Sequence, residues 1–184
     1  MSQSVFIVPV PEAEARVRSL RLRFDPTVRL GVPAHIPVLY PFITPELVDE
    51  LTVSEIQALL GNTSSFAFSL DRVERFPDAT YLAPNPAASF ASLTSALVAR
   101  FPKYPPYGGR FETIVPHLTV AQGSQSVAVE AQRELSEAIN SNGPIYSVCR
   151  SVVLIENSSG IWRHMHTFLL ADKSAQATCE DARG

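Results

Sequence analysis

Cysteine, charge and long apolar runs are all scarce in this sequence, and each scarcity argues against a class of protein. The two cysteines among 184 residues, Cys149 and Cys179, are too few for a disulfide framework. No apolar run approaches the roughly 18 residues that a membrane-spanning helix needs, so no membrane partner is predicted. The N-terminus lacks a basic segment before its short apolar run, which argues against a secretory signal. We therefore expect a reducing, cytoplasmic location.

Charge of either sign is limited. Charged residues make up 18% of the chain, and the net charge is −3. This balance argues against a strongly basic duplex binder, so no duplex DNA partner is predicted. A generic RNA-binding module is disfavoured too, because such affinity comes largely from neutralising phosphates. The main basic run, residues 16–23, contains four arginines. We interpret it as a solvated helix face, with local attraction of a phosphate-bearing substrate as the alternative.

Hydrophobic residues, by contrast, make up 46% of the chain, which is ample for a folded core. Short apolar segments alternate with segments of helical periodicity in the order β α β αα β β α β α β β. Some strands are joined by hairpin turns and others by helices. The pattern favours an α+β fold with antiparallel or mixed sheets over a doubly wound parallel sheet.

Two local patterns lead to specific expectations. The segment from Pro45 to Leu60 predicts two short helices, the second opened by a capping box of Thr52 and Glu55. The apolar run at 146–156 predicts one long strand, which the turn sequence "NSSG" joins to the last strand as a hairpin.

Two histidines stand near the start of apolar strand sequences. His35 lies in "GVPAHIPVLYPF" (31–42), and His117 lies in "VPHLTV" (115–120). Both follow a proline closely, both precede apolar residues, and they are 82 positions apart. Helical sequence and then a hairpin follow each of them. The chain therefore has a weak internal repeat, which indicates two lobes of similar build.

Strand alternation predicts where these side chains point. Residues i and i+2 of a strand share a face, so His35 lies with Pro37, and His117 lies with Thr119. The same alternation assigns Tyr40 to the opposite face, as a packing residue. If the two strands lie side by side, the two imidazoles face each other across a groove.

Two imidazoles across a groove suit displacement at phosphorus. An unperturbed imidazole titrates near pH 6.5, so one ring can be neutral while the other is charged. The neutral ring accepts a proton from the attacking hydroxyl or water, and the charged ring donates one to the leaving oxygen. A hydroxyl two residues beyond a histidine, as in Thr119, can donate to a non-bridging phosphate oxygen.

These motifs resemble a known family. The pattern H-x-[ST]-hydrophobic, paired about eighty residues apart, resembles the two-histidine (2H) phosphoesterase superfamily, in its branch of 2′-5′ RNA ligase-like proteins and cyclic phosphodiesterases. The flanks "VERFPDATYLAP" and "ALVARFPKYPPYGGRFETIVPHLTVA" and the tryptophan of "GIWRHMHTFLL" also resemble bacterial members. The resemblance spans roughly residues 4 to 170.

The resemblance implies both a fold and an activity. The expected fold is one two-lobed domain over residues 1–172, with pseudo-symmetric sheets and flanking helices around a central cleft. The last dozen residues, "KSAQATCEDARG", separately predict a disordered tail at 173–184. The expected protein is a monomeric phosphodiesterase or RNA ligase-like enzyme that needs no metal or cofactor. Its substrates would be 2′,3′-cyclic or 2′-5′-linked nucleotides or RNA ends. His35 and His117 would be the acid–base pair, and Thr119 would bind phosphate.

Pro37 departs from the family pattern, because it occupies the position of the first motif's hydroxyl. Proline offers neither a hydroxyl nor an N–H group, and a hydrogen bond to a charged group is worth about 1.5–3 kcal/mol. The alternative reading is therefore a catalytically weakened protein that binds nucleotides or RNA ends on the same fold.

Further substrate contacts are expected from two segments. Tyr107 and Arg110, in the loop before His117, are placed to reach a base or a phosphate. Alternation also predicts a shared face on the last strand that could include a stacking platform, or could simply be a partly exposed sheet face. Its members are Trp162, His164, His166 and Phe168. A metal at the two histidines of that strand is not favoured, since no supporting ligands are evident.

Overall fold

The computed structural model describes residues 2–172, so the expected tail at 173–184 lies outside the described residues. The strands are β1 (Ser4–Pro9), β2 (His35–Leu39), β3 (Phe66–Phe76), β4 (Ala79–Asn85), β5 (Leu118–Gln122), β6 (Ile145–Cys149), β7 (Ser151–Glu156) and β8 (Arg163–Leu169). The helices are α1 (Pro11–Phe24), α2 (Glu50–Gly61), α3 (Ala87–Arg100) and α4 (Gln125–Asn142). None of the helices in this part of the chain is long and apolar enough to cross a membrane.

The strands form two four-stranded antiparallel sheets. The first sheet has the order β2-β1-β7-β8, and the second has the order β5-β4-β3-β6. The predicted α+β class with antiparallel sheets is confirmed. One of the two motif histidines lies at an edge of each sheet, because β2 begins with His35 and β5 directly follows His117. The two histidine motifs that repeat in the sequence therefore lie at equivalent edge positions of the two sheets.

Two helices connect the sheets, because each follows a strand of one sheet and packs against the other sheet. Helix α1 follows a strand of the first sheet but packs against β5, β6 and α4 on the second. Helix α3 follows a strand of the second sheet but packs against β2 and α2 on the first. One continuous core consequently contains buried side chains of both sheets, such as Phe6 and Leu118. Burial of this shared apolar surface favours a fixed arrangement of the two halves.

The predicted long strand at 146–156 is wrong. The chain changes sheet at Arg150, so that β6 pairs with β3 in the second sheet while β7 pairs with β1 and β8 in the first. The apolar run is continuous across the change, and hydrophobic pattern alone does not show which sheet a residue joins. The hairpin of β7 and β8 is as predicted.

The predicted capping box of Thr52 and Glu55 is also wrong. Helix α2 begins earlier, with Asp49 as its N-cap, whose carboxylate accepts the Thr52 N–H at 2.8 Å. The other short helix predicted after Thr44 is a single 3-10 turn, Pro45–Leu47. Asp49 stands three residues before Thr52, and aspartate is at least as good an N-cap as threonine.

A β-bulge in β2 changes which residues face the cleft. Ile7 lies opposite Pro37, but Phe6 lies opposite Leu39, so Val38 is an extra residue in the edge strand. The Val38 carbonyl is satisfied by Thr94 of α3, whose hydroxyl donates to it at 2.7 Å.

The bulge moves Leu39 into the main core and turns Tyr40 to the face that carries His35. There Tyr40 packs beside Trp162 on a small cluster of buried residues. The prediction that Tyr40 faces away from the cleft is therefore wrong.

A second bulge interrupts β8. Leu154 lies opposite His166, and Ile155 lies opposite His164, so Met165 is the extra residue. Because Leu154 and Ile155 alternate, His164 and His166 point to opposite faces of the sheet. The predicted shared face of Trp162, His164, His166 and Phe168 is therefore wrong.

Candidate active site

The two histidines meet where the edges of the two sheets meet. Strands β2 and β5 are neighbours in space although they belong to different sheets. The two imidazoles interact electrostatically, since a positive charge on His117 lowers the pKa of His35. The fold thus brings together the two residues that the sequence motifs singled out.

Each imidazole is held in the same way. Nδ1 of His35 lies 2.8 Å from the Pro33 carbonyl oxygen, and Nδ1 of His117 lies 2.6 Å from the Val115 carbonyl oxygen. A carbonyl oxygen only accepts, so Nδ1 carries the proton in both rings. The remaining nitrogen, Nε2, is then an acceptor when the ring is neutral and a donor when it is charged.

Burial disfavours the charged form of both rings. Desolvation, aided by the charges of Arg21 and His117, lowers the pKa of His35 to about 4, against the opposing effects of its bond to Pro33 and of Asp25. Desolvation also lowers the pKa of His117, although its bond to Val115 opposes this. Both rings are therefore neutral at pH 7 when the cleft is empty.

Aromatic residues of the second sheet surround His117. The rings of Phe76 and Tyr81 lie 5.4 and 5.5 Å from its imidazole, measured between centroids. The Tyr81 hydroxyl donates to Glu74 at 3.1 Å, and desolvation followed by this bond raises the pKa of Tyr81 to about 12. Tyr81 lies opposite the half-buried Thr119 in the sheet. Nothing in the sequence pattern marked Phe76 and Tyr81 as neighbours of His117.

The first sheet has no hydroxyl at the equivalent position. Pro37 is half-buried, lies opposite Ile7 and shares the face of His35. An edge strand tolerates proline, because one side of the strand has no ladder partner that needs its N–H. The two motifs thus have matching histidines and unequal second residues.

An aromatic cluster lies along the cleft face of the first sheet. Tyr40 lies 6.4 Å from Trp162 and 6.5 Å from Tyr107, and Tyr107 lies 5.5 Å from Phe111, all between ring centroids. Tyr107 has a left-handed backbone (φ 52°), and its N–H donates to the Tyr40 carbonyl at 2.5 Å. A non-glycine residue held there is strained, and such strain concentrates at functional sites.

The other side chains considered as substrate contacts are exposed or lie on another face of the sheet. Arg110 is exposed, and its backbone N–H closes the turn by donating to the Tyr107 carbonyl at 3.4 Å. His164 is exposed, with Nε2 2.8 Å from the Thr167 hydroxyl. His166 instead lines a groove of about 630 Å³ against α2, on the other face of the sheet. Among residues 2–172, no group of three or more His, Cys, Asp or Glu side chains could hold a metal ion.

The chain matches known proteins in sequence and in fold. The family model of the 2′-5′ RNA ligase superfamily matches residues 9–160. The Bacillus cytotoxicus protein named "Putative phosphoesterase Bcer98_0945" is 28% identical over 125 residues, which cover 66% of this chain and 70% of that protein.

Solved structures show the same fold at low sequence identity. E. coli LigT complexed with 3′-AMP superimposes with a TM-score of 0.57 at 14% identity, covering 92% of this chain and 98% of LigT. TT0787 of Thermus thermophilus also gives 0.57, at 16% identity, covering 93% and 99%. With its family model matched over most of its length and its sheets arranged as in LigT, this chain belongs to the 2′-5′ RNA ligase superfamily of 2H phosphoesterases.

Proposed function

We propose that the protein is a metal-independent phosphodiesterase or RNA ligase-like enzyme for 2′,3′-cyclic or 2′-5′-linked nucleotides, working by two-histidine acid–base catalysis. The observation that carries the proposal is the matched setting of His35 and His117. Both stand at neighbouring sheet edges, and both have Nδ1 fixed by a backbone carbonyl, which leaves Nε2 for the substrate.

The reaction is an in-line displacement at phosphorus. Water or a hydroxyl forms a new bond to phosphorus and gives its proton to Nε2 of one neutral histidine. The bond from phosphorus to the leaving oxygen breaks, and that oxygen receives a proton from Nε2 of the other, charged histidine. We assign the base in hydrolysis to His35, because its surroundings oppose a positive charge more strongly. In the reverse direction, ligation, the two roles exchange.

The negative charge of the substrate converts His117 into the charged form that acts as the acid. A phosphodiester anion between the rings favours a protonated imidazole, so His117 gains its proton as the substrate binds. The Thr119 hydroxyl shares the face of His117 and donates to a non-bridging oxygen. A hydrogen bond to such a charged oxygen contributes about 1.5–3 kcal/mol.

A small nucleotide or RNA end fits the aromatic cluster beside the histidines. E. coli LigT is known in complexes with 3′-AMP and with NADP+. In the present chain Tyr107 and Trp162 flank Tyr40 on the cleft face, where a nucleobase can stack at about 1–3 kcal/mol per base. We propose that Arg110 and His164 contact the outer parts of the substrate.

The proposal is tested by incubating the protein with 2′,3′-cyclic AMP, with 3′,5′-cyclic AMP as the control substrate. We expect ring opening of the 2′,3′-cyclic compound only, at a rate that excess EDTA leaves unchanged, because the chemistry is supplied by imidazoles. A rate that EDTA abolishes would contradict the metal-independent mechanism. If neither the 2′,3′-cyclic compound nor a 2′-5′-linked dinucleotide is turned over, the enzymatic assignment is contradicted.

Pro37 favours a second candidate function, a binding protein whose chemistry has weakened. Under this alternative, nucleotides still bind, but neither cyclic phosphates nor 2′-5′ linkages are turned over. The variant Pro37→Thr separates the two candidates by restoring the missing hydroxyl. A gain of tenfold or more would support weakened chemistry, whereas a change below about threefold would support an enzyme adapted to proline.

The hydroxyl on the other side gives a direct prediction. Replacing Thr119 by valine keeps the β-branched shape and removes only the donor, so we expect kcat/KM for 2′,3′-cyclic AMP to fall about 10- to 100-fold. Thr113→Val, at an exposed loop position before His117, is the matched control and should change it little. An unchanged rate in Thr119→Val would remove Thr119 from the phosphate site.

A further inference from the structure

Arg21 is a fully buried arginine on helix α1. Its side chain is only 1% exposed, although it belongs to the basic run at 16–23. The prediction of a solvated face is therefore wrong for this residue, and so is the alternative of a surface that attracts phosphate. A charge is almost never buried without partners that hold it.

The partners of Arg21 lie around the segment before the first histidine. Its Nε donates to the Asp25 carboxylate at 2.9 Å, and its Nη2 donates to the Val32 carbonyl at 3.0 Å. The Asp25 carboxylate in turn accepts the Thr27 hydroxyl at 2.6 Å and the Thr27 N–H at 3.0 Å. The guanidinium thus bridges helix α1 to Val32.

Glu14, also on α1, holds the same segment. Its carboxylate accepts the Ala34 N–H at 2.7 Å and lies 3.7 Å from Nη1 of Arg21. Between these two attachment points stands Pro33, whose carbonyl fixes Nδ1 of His35. The three consecutive residues 32–34 thus all have partners. Val32 and Ala34 bind side chains of α1, and Pro33 binds the imidazole.

We propose that Arg21 is a positioning residue, which with Glu14 holds the segment 32–34 so that His35 presents Nε2 to the phosphodiester. This inference rests on the proposed function, because it assigns His35 the role of base. Val115 corresponds to Pro33, because each lies two residues before a histidine whose Nδ1 it binds, and both residues are exposed. What holds Pro33 in place is the pair of residues on either side of it, since Val32 and Ala34 are buried and bonded to Arg21 and Glu14.

Electrostatics adds to the geometry. The charged groups that act on His35 are Arg21 and His117, which lower its pKa, and Asp25, which raises it. Glu14 faces the same segment through Ala34. Desolvation is the main reason that the ring is neutral, and the guanidinium adds to that effect besides holding the segment that orients the ring. A neutral ring is what a base requires.

The test compares Arg21→Met and Arg21→Lys with Arg23→Met as the matched control. Arg23 lies on the same helix, but it is 48% exposed and forms its ion pairs with Glu130 and Glu134 of α4. With 2′,3′-cyclic AMP, we expect Arg21→Met to lower kcat at least tenfold while KM changes less than threefold. Arg21→Lys should recover part of the loss, and Arg23→Met should match the wild type.

The pH dependence gives the readout that a merely structural role would not move. Removing the guanidinium raises the pKa of His35, so the acidic limb of the kcat/KM profile should shift to higher pH in Arg21→Met. The same shift should be seen when His35 is titrated by NMR in the substrate-free protein, a measurement that stays valid even if the proposed activity fails. An unchanged acidic limb and an unchanged His35 titration would overturn the proposal.

Glu14→Ala keeps the proposal testable if Arg21→Met does not fold. The Glu14 side chain is 36% exposed, so this change removes the bond to the Ala34 N–H with less cost to the fold. We expect a lower kcat at nearly constant KM, and we expect Glu14→Gln, which retains an acceptor, to recover most of it. Wild-type kcat in Glu14→Ala would overturn the positioning role of the network.

Discussion

Replacing His117 by alanine is expected to lower kcat/KM for 2′,3′-cyclic AMP by about 10²- to 10⁴-fold, the usual contribution of a positioned general acid or base. The same loss is expected for His35→Ala. Because the two rings act on one phosphorus, the double variant should lose little more than the worse single variant. Such non-additivity is the kinetic signature of a pair that works as a unit.

His166→Ala is the matched control for both variants. It removes a histidine from strand β8, but that side chain lines the groove against α2, on the face away from the cleft. We expect its rate to stay within a few-fold of the wild type. A His117→Ala protein that remains folded and turns over the cyclic substrate at the wild-type rate would contradict the proposed mechanism.

Activity should also depend strongly on pH. The kcat/KM profile reports the substrate-free protein, in which the pKa of His35 is lowered to about 4 and that of His117 is lowered below its usual 6.5. The base must be neutral, so the rate rises as pH increases through about 4. The acid must be charged, so the rate falls about tenfold per unit above the pKa of His117. Between pH 6.5 and 8.5 we therefore expect a fall of about 100-fold.

The profile of kcat provides the control for this prediction. It reports the substrate complex, where the phosphodiester anion raises the pKa of the neighbouring imidazole. Its alkaline limb should accordingly lie at higher pH than that of kcat/KM. A kcat/KM profile that stays flat from pH 6.5 to 8.5 would contradict the assignment of a histidine as the acid.

Much of this site could be predicted from the sequence because it depends on local pattern. The apolar residues after His35 and His117 specify strands, and period-two alternation places Thr119 and Pro37 beside their histidines. The mixture of strands joined by hairpins and strands joined by helices was enough to predict the α+β class. Local pattern, however, does not contain the packing partners of each strand.

The features that sequence pattern missed arise from tertiary packing. The extra residues Val38 and Met165 shift the alternation of β2 and β8, and this turns Tyr40 to the cleft and separates His164 from His166. A bulge depends on partners from elsewhere in the chain. In β2, for example, the Val38 carbonyl accepts the hydroxyl of Thr94 on α3.

The arginine run shows the same limit of local pattern. Arg21 is paired with Asp25, which helical spacing places four residues away, and with the Val32 carbonyl, which nothing in the local pattern indicates. Periodicity shows which residues share a helix face, but the rest of the fold decides whether that face is covered.

Both histidines act on one phosphate in the proposed mechanism, and a crystal structure of the protein with bound inorganic phosphate measures this directly. We expect Nε2 of His35 and Nε2 of His117 each to lie within hydrogen-bond distance, about 3 Å, of oxygens of the same phosphate. The Thr119 hydroxyl should donate to a third oxygen of that ion. A phosphate bound by one histidine, with the other ring beyond bridging reach, would contradict the two-histidine mechanism.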